Sequence, residues 1–135
     1  MKLTFLCLLL ISATSYATCP IYFHSESLCS KLEWKKGPLL NQKSHFELRF
    51  WRAGDSEMVN VSPNADVKIF SWMTMGNGHD HGGPKMTVNE IVPGKFEVKD
   101  ARFFMHGMDG FWEIVIELSN SSNTTDTHRE RLRFD

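Results

Sequence analysis

Residues 44–52 read Ser-His-Phe-Glu-Leu-Arg-Phe-Trp-Arg, and apolar side chains alternate with polar ones along this stretch. Phe46, Leu48 and Phe50 share one parity and are all strongly apolar. A period of two residues predicts a β-strand that buries one face and exposes the other. Trp51 has the parity of the polar residues, so this pattern places it on the outward face.

The same two-residue period recurs in five further stretches of the chain. Glycine, proline, asparagine and serine separate these stretches, and no segment after residue 17 carries the apolar stripe of a helix. Short strands at this spacing predict an all-β fold, an antiparallel immunoglobulin-like β-sandwich that follows a cleaved N-terminal signal peptide. The further predicted strands are residues 32–34, 67–75, 96–105, 112–118 and 132–134.

One predicted strand changes parity along its length. Phe96 and Val98 share one face, whereas Ala101 and Met105 have the opposite parity. An extra residue near Asp100 would bring both halves onto the same face, so the sequence predicts a β-bulge there. On this interpretation Met105 points inward and belongs to the core.

Length and charge limit the functions that need consideration. The chain has 135 residues, of which 41% are hydrophobic, which is enough for one domain with a core. The formal net charge of −1 argues against a nucleic-acid partner, because such a partner requires a concentrated basic surface. No zinc-protease, serine-hydrolase or phosphate-loop motif is present in the sequence, and we expect no enzymatic activity.

The first residues have the features of a secretory signal peptide. Lys2 precedes the apolar stretch Leu3–Ile11, and small residues follow up to a predicted cleavage site after Ala17. Since this stretch is too short for a permanent membrane span, we expect a periplasmic or secreted protein without one. The predicted organisation is a signal peptide (1–17), a disulfide-containing N-terminal segment (18–43) and the β-sandwich domain (44–135).

Export determines how the cysteines are interpreted. Cys7 leaves with the signal peptide, and the remaining pair, Cys19 and Cys29, is predicted to form a disulfide in an oxidising compartment. Two thiolate metal ligands are the alternative, although the pair lacks a CxxC spacing. A lipid anchor at Cys19 is a second alternative, which the absence of an aliphatic residue at position 16 disfavours.

Methionine and histidine are concentrated in two stretches of the chain. Residues 75–86 read Met-Gly-Asn-Gly-His-Asp-His-Gly-Gly-Pro-Lys-Met, and residues 105–108 read Met-His-Gly-Met. Both follow predicted strands, so they can meet at one end of the domain. The predicted metal ligands are Met75, His79, His81, Met86, His106 and Met108.

The donor types indicate copper. Thioether sulfur suits Cu(I), imidazole suits both copper states, and thioethers persist where thiolates would oxidise. The prediction is a copper cofactor, with Cu(I) favoured and Cu(II) accommodated through His79 and His81. A solvated loop is the alternative for these histidines, and a place in the core is the alternative for Met86. A blue-copper centre is excluded, because no cysteine follows Cys29.

Short motifs in the second half of the chain resemble the YtkA-like domain family, which is related to the FixH proteins of bacterial respiratory-oxidase assembly. The resemblance implies an exported immunoglobulin-like sandwich with a role in copper handling, and an envelope or respiratory-oxidase assembly protein as partner. We expect the chain to depart from FixH proteins in lacking their transmembrane anchor. The motifs are Met73-x-Met75-Gly76, His79, Gly94-Lys95-Phe96, Phe104-Met105-x-Gly107 and Gly110-Phe111-Trp112-Glu113-Ile114.

A second resemblance concerns the donor spacing alone. Met75, ten intervening residues, Met86 and then His106-x-Met108 are similar to the motif of the periplasmic copper chaperones called PCuAC, although the spacing between Met86 and His106 differs. Both resemblances implicate the same metal.

The sequence therefore predicts an exported copper-binding protein with a Met/His site at one end of a β-sandwich. Its predicted role is copper storage, copper delivery or protection. The alternative is a metal-free envelope interaction or assembly module that presents Trp51, Phe70 or Trp72 to a partner. Arg129, Arg131 and Arg133 alternate along the last predicted strand, which is typical of a solvated sheet edge.

Overall fold

The computed structural model describes residues 18–105, 107 and 109–134, so the predicted signal peptide lies outside the described residues. Within them there are nine β-strands and no helix, and hence no helix of the length and hydrophobicity that a membrane crossing requires. The strands are β1 (Ile21–Phe23), β2 (Leu28–Lys36), β3 (Lys43–Arg52), β4 (Asp66–Met75), β5 (His81–Gly82), β6 (Thr87–Val92), β7 (Lys95–Arg102), β8 (Gly110–Ser119) and β9 (Thr125–Arg131).

The strands form two antiparallel sheets that pack face to face. One sheet has the order β1-β2-β3-β7-β6, and the other has the order β5-β4-β8-β9. Apart from β1, this arrangement corresponds to the A-B-E-D and C′-C-F-G sheets of an immunoglobulin-like sandwich. The predicted fold class is confirmed.

The core lies between the two sheets, where alternate residues of β3 and β7 face those of β4 and β8. The predicted inward residues Phe46, Leu48 and Phe50 are fully buried. Their partners across the sandwich include Met73 of β4 and Trp112 of β8, which belong to the same apolar cluster. Burial of these large side chains supplies the main driving force for folding.

The predicted bulge is present in β7. The pairing of β3 with β7 shifts register between Ser44 and Phe46, and Asp100 has a positive φ of 60°. The Asp100 carboxylate accepts a hydrogen bond from Thr87 and pairs with Lys43 at 2.7 Å. Hydrogen bonds from Lys43 and Thr87 hold the pKa of Asp100 below its ordinary value. The parity change in the sequence therefore has the predicted cause.

The edge strands differ most from the predictions. The last strand ends at Arg131 rather than covering residues 132–134, and Leu132 enters the core only after the strand has ended. β6 and β9 are exposed on both faces over most of their length, so they lack a two-residue hydrophobic period. Pairing with a neighbouring strand, rather than burial of a face, keeps these segments extended.

The prediction that Trp51 faces outward is wrong, because its side chain is only 1% exposed. The loop after β3 folds back over this face, where Trp51 bridges to Asn60. The Arg49 side chain fastens the loop by donating to Asn60 Oδ1 at 2.9 Å and to the Met58 carbonyl at 3.0 Å. Alternation along one strand does not reveal that a distant loop covers its second face.

The N-terminal segment is part of the sandwich. β2 pairs with β3 from Leu28 to Lys36, and β1 pairs with β2 at the edge of the same sheet. Cys19 forms the predicted disulfide with Cys29, whose Cα lies 5.2 Å away. The bond joins the start of β1 to β2 and closes this edge hairpin.

Replacing Cys19 and Cys29 together by serine is expected to lower the free energy of unfolding by about 2.7 kcal/mol, because the bond restricts the unfolded chain. Urea unfolding of the variant and of the reduced wild type measures this loss, and the two should agree. A variant as stable as the oxidised wild type would contradict the prediction.

Candidate metal centre

Two loops meet at one end of the sandwich. The turn between β4 and β5 contains Gly76 and Asn77, and the connection between β7 and β8 contains Gly107 and Asp109. The Gly76 N–H donates to the Asp109 carbonyl at 2.8 Å, and all four residues line one open cavity of about 440 Å³. Residues 75–81 and the described residues 105, 107, 109 and 110, named the rim below, therefore lie at the same end of the sandwich.

The turn after β4 is held by its own polar groups. The Gly78 N–H donates to the Met75 carbonyl at 3.0 Å, and the Met75 N–H donates to Asp80 Oδ1 at 2.9 Å. The His79 N–H donates to Asn77 Oδ1 at 3.0 Å. These bonds use the Asp80 and Asn77 side chains to shape the turn, and they leave the His79 side chain exposed to solvent.

His81 is held more firmly than His79. It belongs to β5, where it pairs with Met73 of β4. Its Nδ1 lies 2.9 Å from the Gly82 carbonyl, which accepts only, so Nδ1 carries the proton and Nε2 is the basic nitrogen. The imidazole also meets the Trp112 ring edge to face, with 5.9 Å between centroids. Such contacts orient a ring in the way that supporting groups orient histidine ligands in metal sites.

Trp112 contacts both loops that meet at the rim from the core side. Its side chain is 1% exposed, and its Nε1–H donates to the Phe104 carbonyl at 3.0 Å. The same indole contacts the His81 ring from β5. A single buried side chain thus couples the position of the β7–β8 connection to that of His81.

The methionines near the rim differ in exposure. Met73, which shares the parity of the inward residue Ile69 in β4, is fully buried, whereas Met75 at the end of β4 is half-buried against the core. The prediction that Met105 belongs to the core is wrong, because it is 37% exposed. β7 ends at Arg102, so strand alternation no longer applies at position 105. Met105 is a thioether on the rim that the parity argument missed.

Met86 lies apart from the rim. It is 7% exposed, belongs to the apolar core and lies beside residues 67–70 of β4. Residues 70 and 75 are separated by about 16 Å of extended strand. The structure does not bring Met86 together with Met75. Of the two alternatives for Met86, metal ligand or core residue, the structure supports the core residue.

The two remaining predicted ligands, His106 and Met108, lie outside the described residues, and their neighbours Gly107 and Asp109 lie on the rim. In the described ranges 18–105, 107 and 109–134, no three His, Cys, Asp or Glu side chains form a group that could hold a metal ion. The donors on the described part of the rim are the thioethers of Met75 and Met105 and the imidazoles of His79 and His81.

This donor set fits a soft cation better than a hard one. Neutral sulfur with imidazole is a combination that Cu(I) accepts, whereas Ca²⁺ and Mg²⁺ require oxygen ligands.

Of the aromatic residues proposed for the alternative function, Trp51 is buried, and Phe70 and Trp72 are half-buried on the outer face of β4. No protein-family model, curated protein or solved structure matches the chain.

Proposed function

We propose that the protein binds one copper ion at the rim and serves to store, deliver or sequester it outside the cytoplasm. The single observation that supports this most is the Gly76 to Asp109 hydrogen bond of 2.8 Å, which joins the two donor-rich stretches. This bond joins the backbones of two segments more than 20 residues apart in sequence, which supports a site that draws donors from both. The ligands are drawn from Met75, His79, His81 and Met105, together with the sequence-predicted His106 and Met108.

Copper is favoured because of the chemistry of these groups. Thioethers bind Cu(I) and resist the oxidation that would consume free thiolates in an exported protein. The chain's only two cysteines after the predicted signal peptide are joined in the Cys19–Cys29 disulfide, so no thiolate competes for the metal. His79 and His81 supply nitrogen donors that also suit Cu(II).

A carrier role follows from where the donors lie. His79 and Met105 are exposed, so a partner protein can approach a metal ion that is bound by them. Thioethers are weak neutral donors, and a site with tighter ligands can therefore take the metal from them. The predicted signal peptide and the resemblance to YtkA-like domains support an envelope protein or a respiratory-oxidase assembly protein as the partner.

Competition titration of the purified protein with a Cu(I) chelator of known affinity tests the proposal. We expect a Kd below about 1 μM, and a loss of affinity of about 100-fold or more when His79, His81 and His106 are all replaced by alanine. The matched control replaces His24 and His128, which lie far from the rim, and should leave the affinity unchanged. Binding weaker than micromolar, or equal binding by the triple variant, would overturn the proposal.

A further inference from the structure

A second cavity opens beside the rim, next to the end of β9. Its volume is about 410 Å³, within the range of small-molecule sites, and one side of it is apolar. The apolar wall includes Leu40 and Met105, which are each 37% exposed, as well as Phe111 and Phe134. Apolar side chains that remain exposed around a concave surface favour a ligand with an apolar body.

Two arginines line the same cavity. Arg131 and Arg133 are exposed, and neither forms an ion pair with any residue of the described part of the chain. The Arg131 guanidinium lies over the Phe111 ring, 4.0 Å from its centroid, which holds this charge against the cavity wall.

The neighbouring arginine on β9 shows a different arrangement. Arg129 pairs with Glu113 at 3.3 Å, although the residue directly opposite Glu113 in the sheet is Arg131. Glu113 therefore forms its ion pair with Arg129, and the Arg131 guanidinium lines the cavity without an ion pair to a described residue. Arg131 is thus held by its contact with Phe111, whereas Arg129 is held by an ion pair.

We infer that this cavity binds a small amphipathic carboxylate, an organic acid with an aromatic or branched aliphatic body. The carboxylate lies between Arg131 and Arg133, whose planar guanidinium groups match its two oxygens. The apolar body packs against Leu40 and Met105. Charge and shape together select this class over a neutral apolar molecule, which would leave both cations without a counter-charge. The inference does not depend on copper binding at the rim.

An NMR titration of the metal-free protein with 2-naphthoate tests the inference, with uncharged 2-naphthamide as the matched probe. We expect saturable shifts at Phe111 and at residues 131–134, with a Kd on the order of 0.1–1 mM for the acid. The amide should bind at least about 10-fold more weakly, because it lacks the charge-assisted hydrogen bonds.

Variants then separate the contributions that the arginines and the apolar side chains of the cavity make to binding. Replacing Arg131 and Arg133 together by glutamine should weaken naphthoate binding at least about 10-fold, while Arg129→Gln should have no effect. Leu40→Ser should weaken both probes, because it removes apolar wall that both contact. Absence of saturable binding, equal binding of acid and amide, or unchanged binding by the double variant would each overturn the inference.

Discussion

Replacing Gly94 by alanine is expected to lower the free energy of unfolding by about 2–5 kcal/mol. Gly94 follows Pro93 in the turn between β6 and β7 and has a φ of +79°, a combination typical of a type II turn. A Cβ at this position would lie 2.5 Å from both the N and the O of Val61. Backbone atoms cannot rotate away, so the steric cost of about 1–3 kcal/mol adds to the cost of about 1–2 kcal/mol for a positive φ.

The chain provides a matched control for this prediction. Gly54 has a φ of +85°, but a Cβ there would meet nothing within 4 Å. Gly54→Ala should therefore cost only the conformational part, about 1–2 kcal/mol. Urea unfolding of both variants measures the difference. If the two losses of stability were equal, the contact between Gly94 and Val61 would have no energetic importance.

The second large effect is expected for Trp112→Ala, which should cost about 3–5 kcal/mol in the free energy of unfolding. The indole is buried between the sheets, packs against Phe103 with 5.8 Å between ring centroids, and donates to the Phe104 carbonyl. Removing it leaves a cavity below the rim and removes the group that His81 packs against. Thermal or urea unfolding measures the loss of stability.

A comparison of two tryptophan-to-phenylalanine variants separates packing from hydrogen bonding. Trp112 and Trp51 are equally buried, yet Trp112 donates a hydrogen bond, whereas the Trp51 Nε1–H has no partner in the described structure. Trp112→Phe should therefore be more destabilising than Trp51→Phe by about 1–2 kcal/mol. Equal losses would show that the bond to the Phe104 carbonyl contributes nothing.

The tryptophan variants also bear on the proposed copper site. Trp112→Phe frees the Phe104 carbonyl and changes the surface against which His81 packs, so it should weaken Cu(I) binding while the protein remains folded. Trp51 lies under the β3–β4 loop, where its backbone pairs with Asn60 and the Arg49 guanidinium lies over its ring. Copper affinity unchanged by Trp51→Phe and lowered by Trp112→Phe is the expected result.

Two glycines of the family-like motifs have structural explanations. Gly94 allows the β6–β7 turn to approach the Val61 backbone, and a Cβ at Gly110 would lie 2.6 Å from the Thr74 carbonyl oxygen. Both are therefore required by close packing of the sandwich. The proposed metal binding concerns the methionines and histidines of these motifs, not their glycines.

The central strands could be predicted because each buries one face. Phe46, Leu48 and Phe50 alternate with polar residues, and the parity change at Asp100 showed where β7 contains an extra residue. The edge strands β5 and β6 could not be predicted, since hydrogen bonds to neighbouring strands hold them and their side chains show no hydrophobic period. In β1, buried Ile21 and Phe23 flank exposed Tyr22, but three residues are too few for this alternation to predict a strand.

The donor residues of the candidate site were apparent from composition, but their grouping was not. His79 and His81 stand out because they lie in a glycine-rich turn without apolar neighbours. Met86 has the same donor atom in the same stretch, yet the chain turns beside β4 and carries it into the core. Only the folded chain distinguishes a thioether at the rim from one that fills space.

The order of residues along the chain was sufficient to predict the all-β class, the central strands and the bulge, because these depend on local alternation. It also favoured the Cys19–Cys29 disulfide, because only two cysteines follow the predicted signal peptide. Tertiary structure alone decided which residues share the rim, that a loop buries Trp51, and that Arg131 faces a cavity while Arg129 is paired. Those outcomes depend on contacts between residues far apart in the chain, and local periodicity carries no information about such contacts.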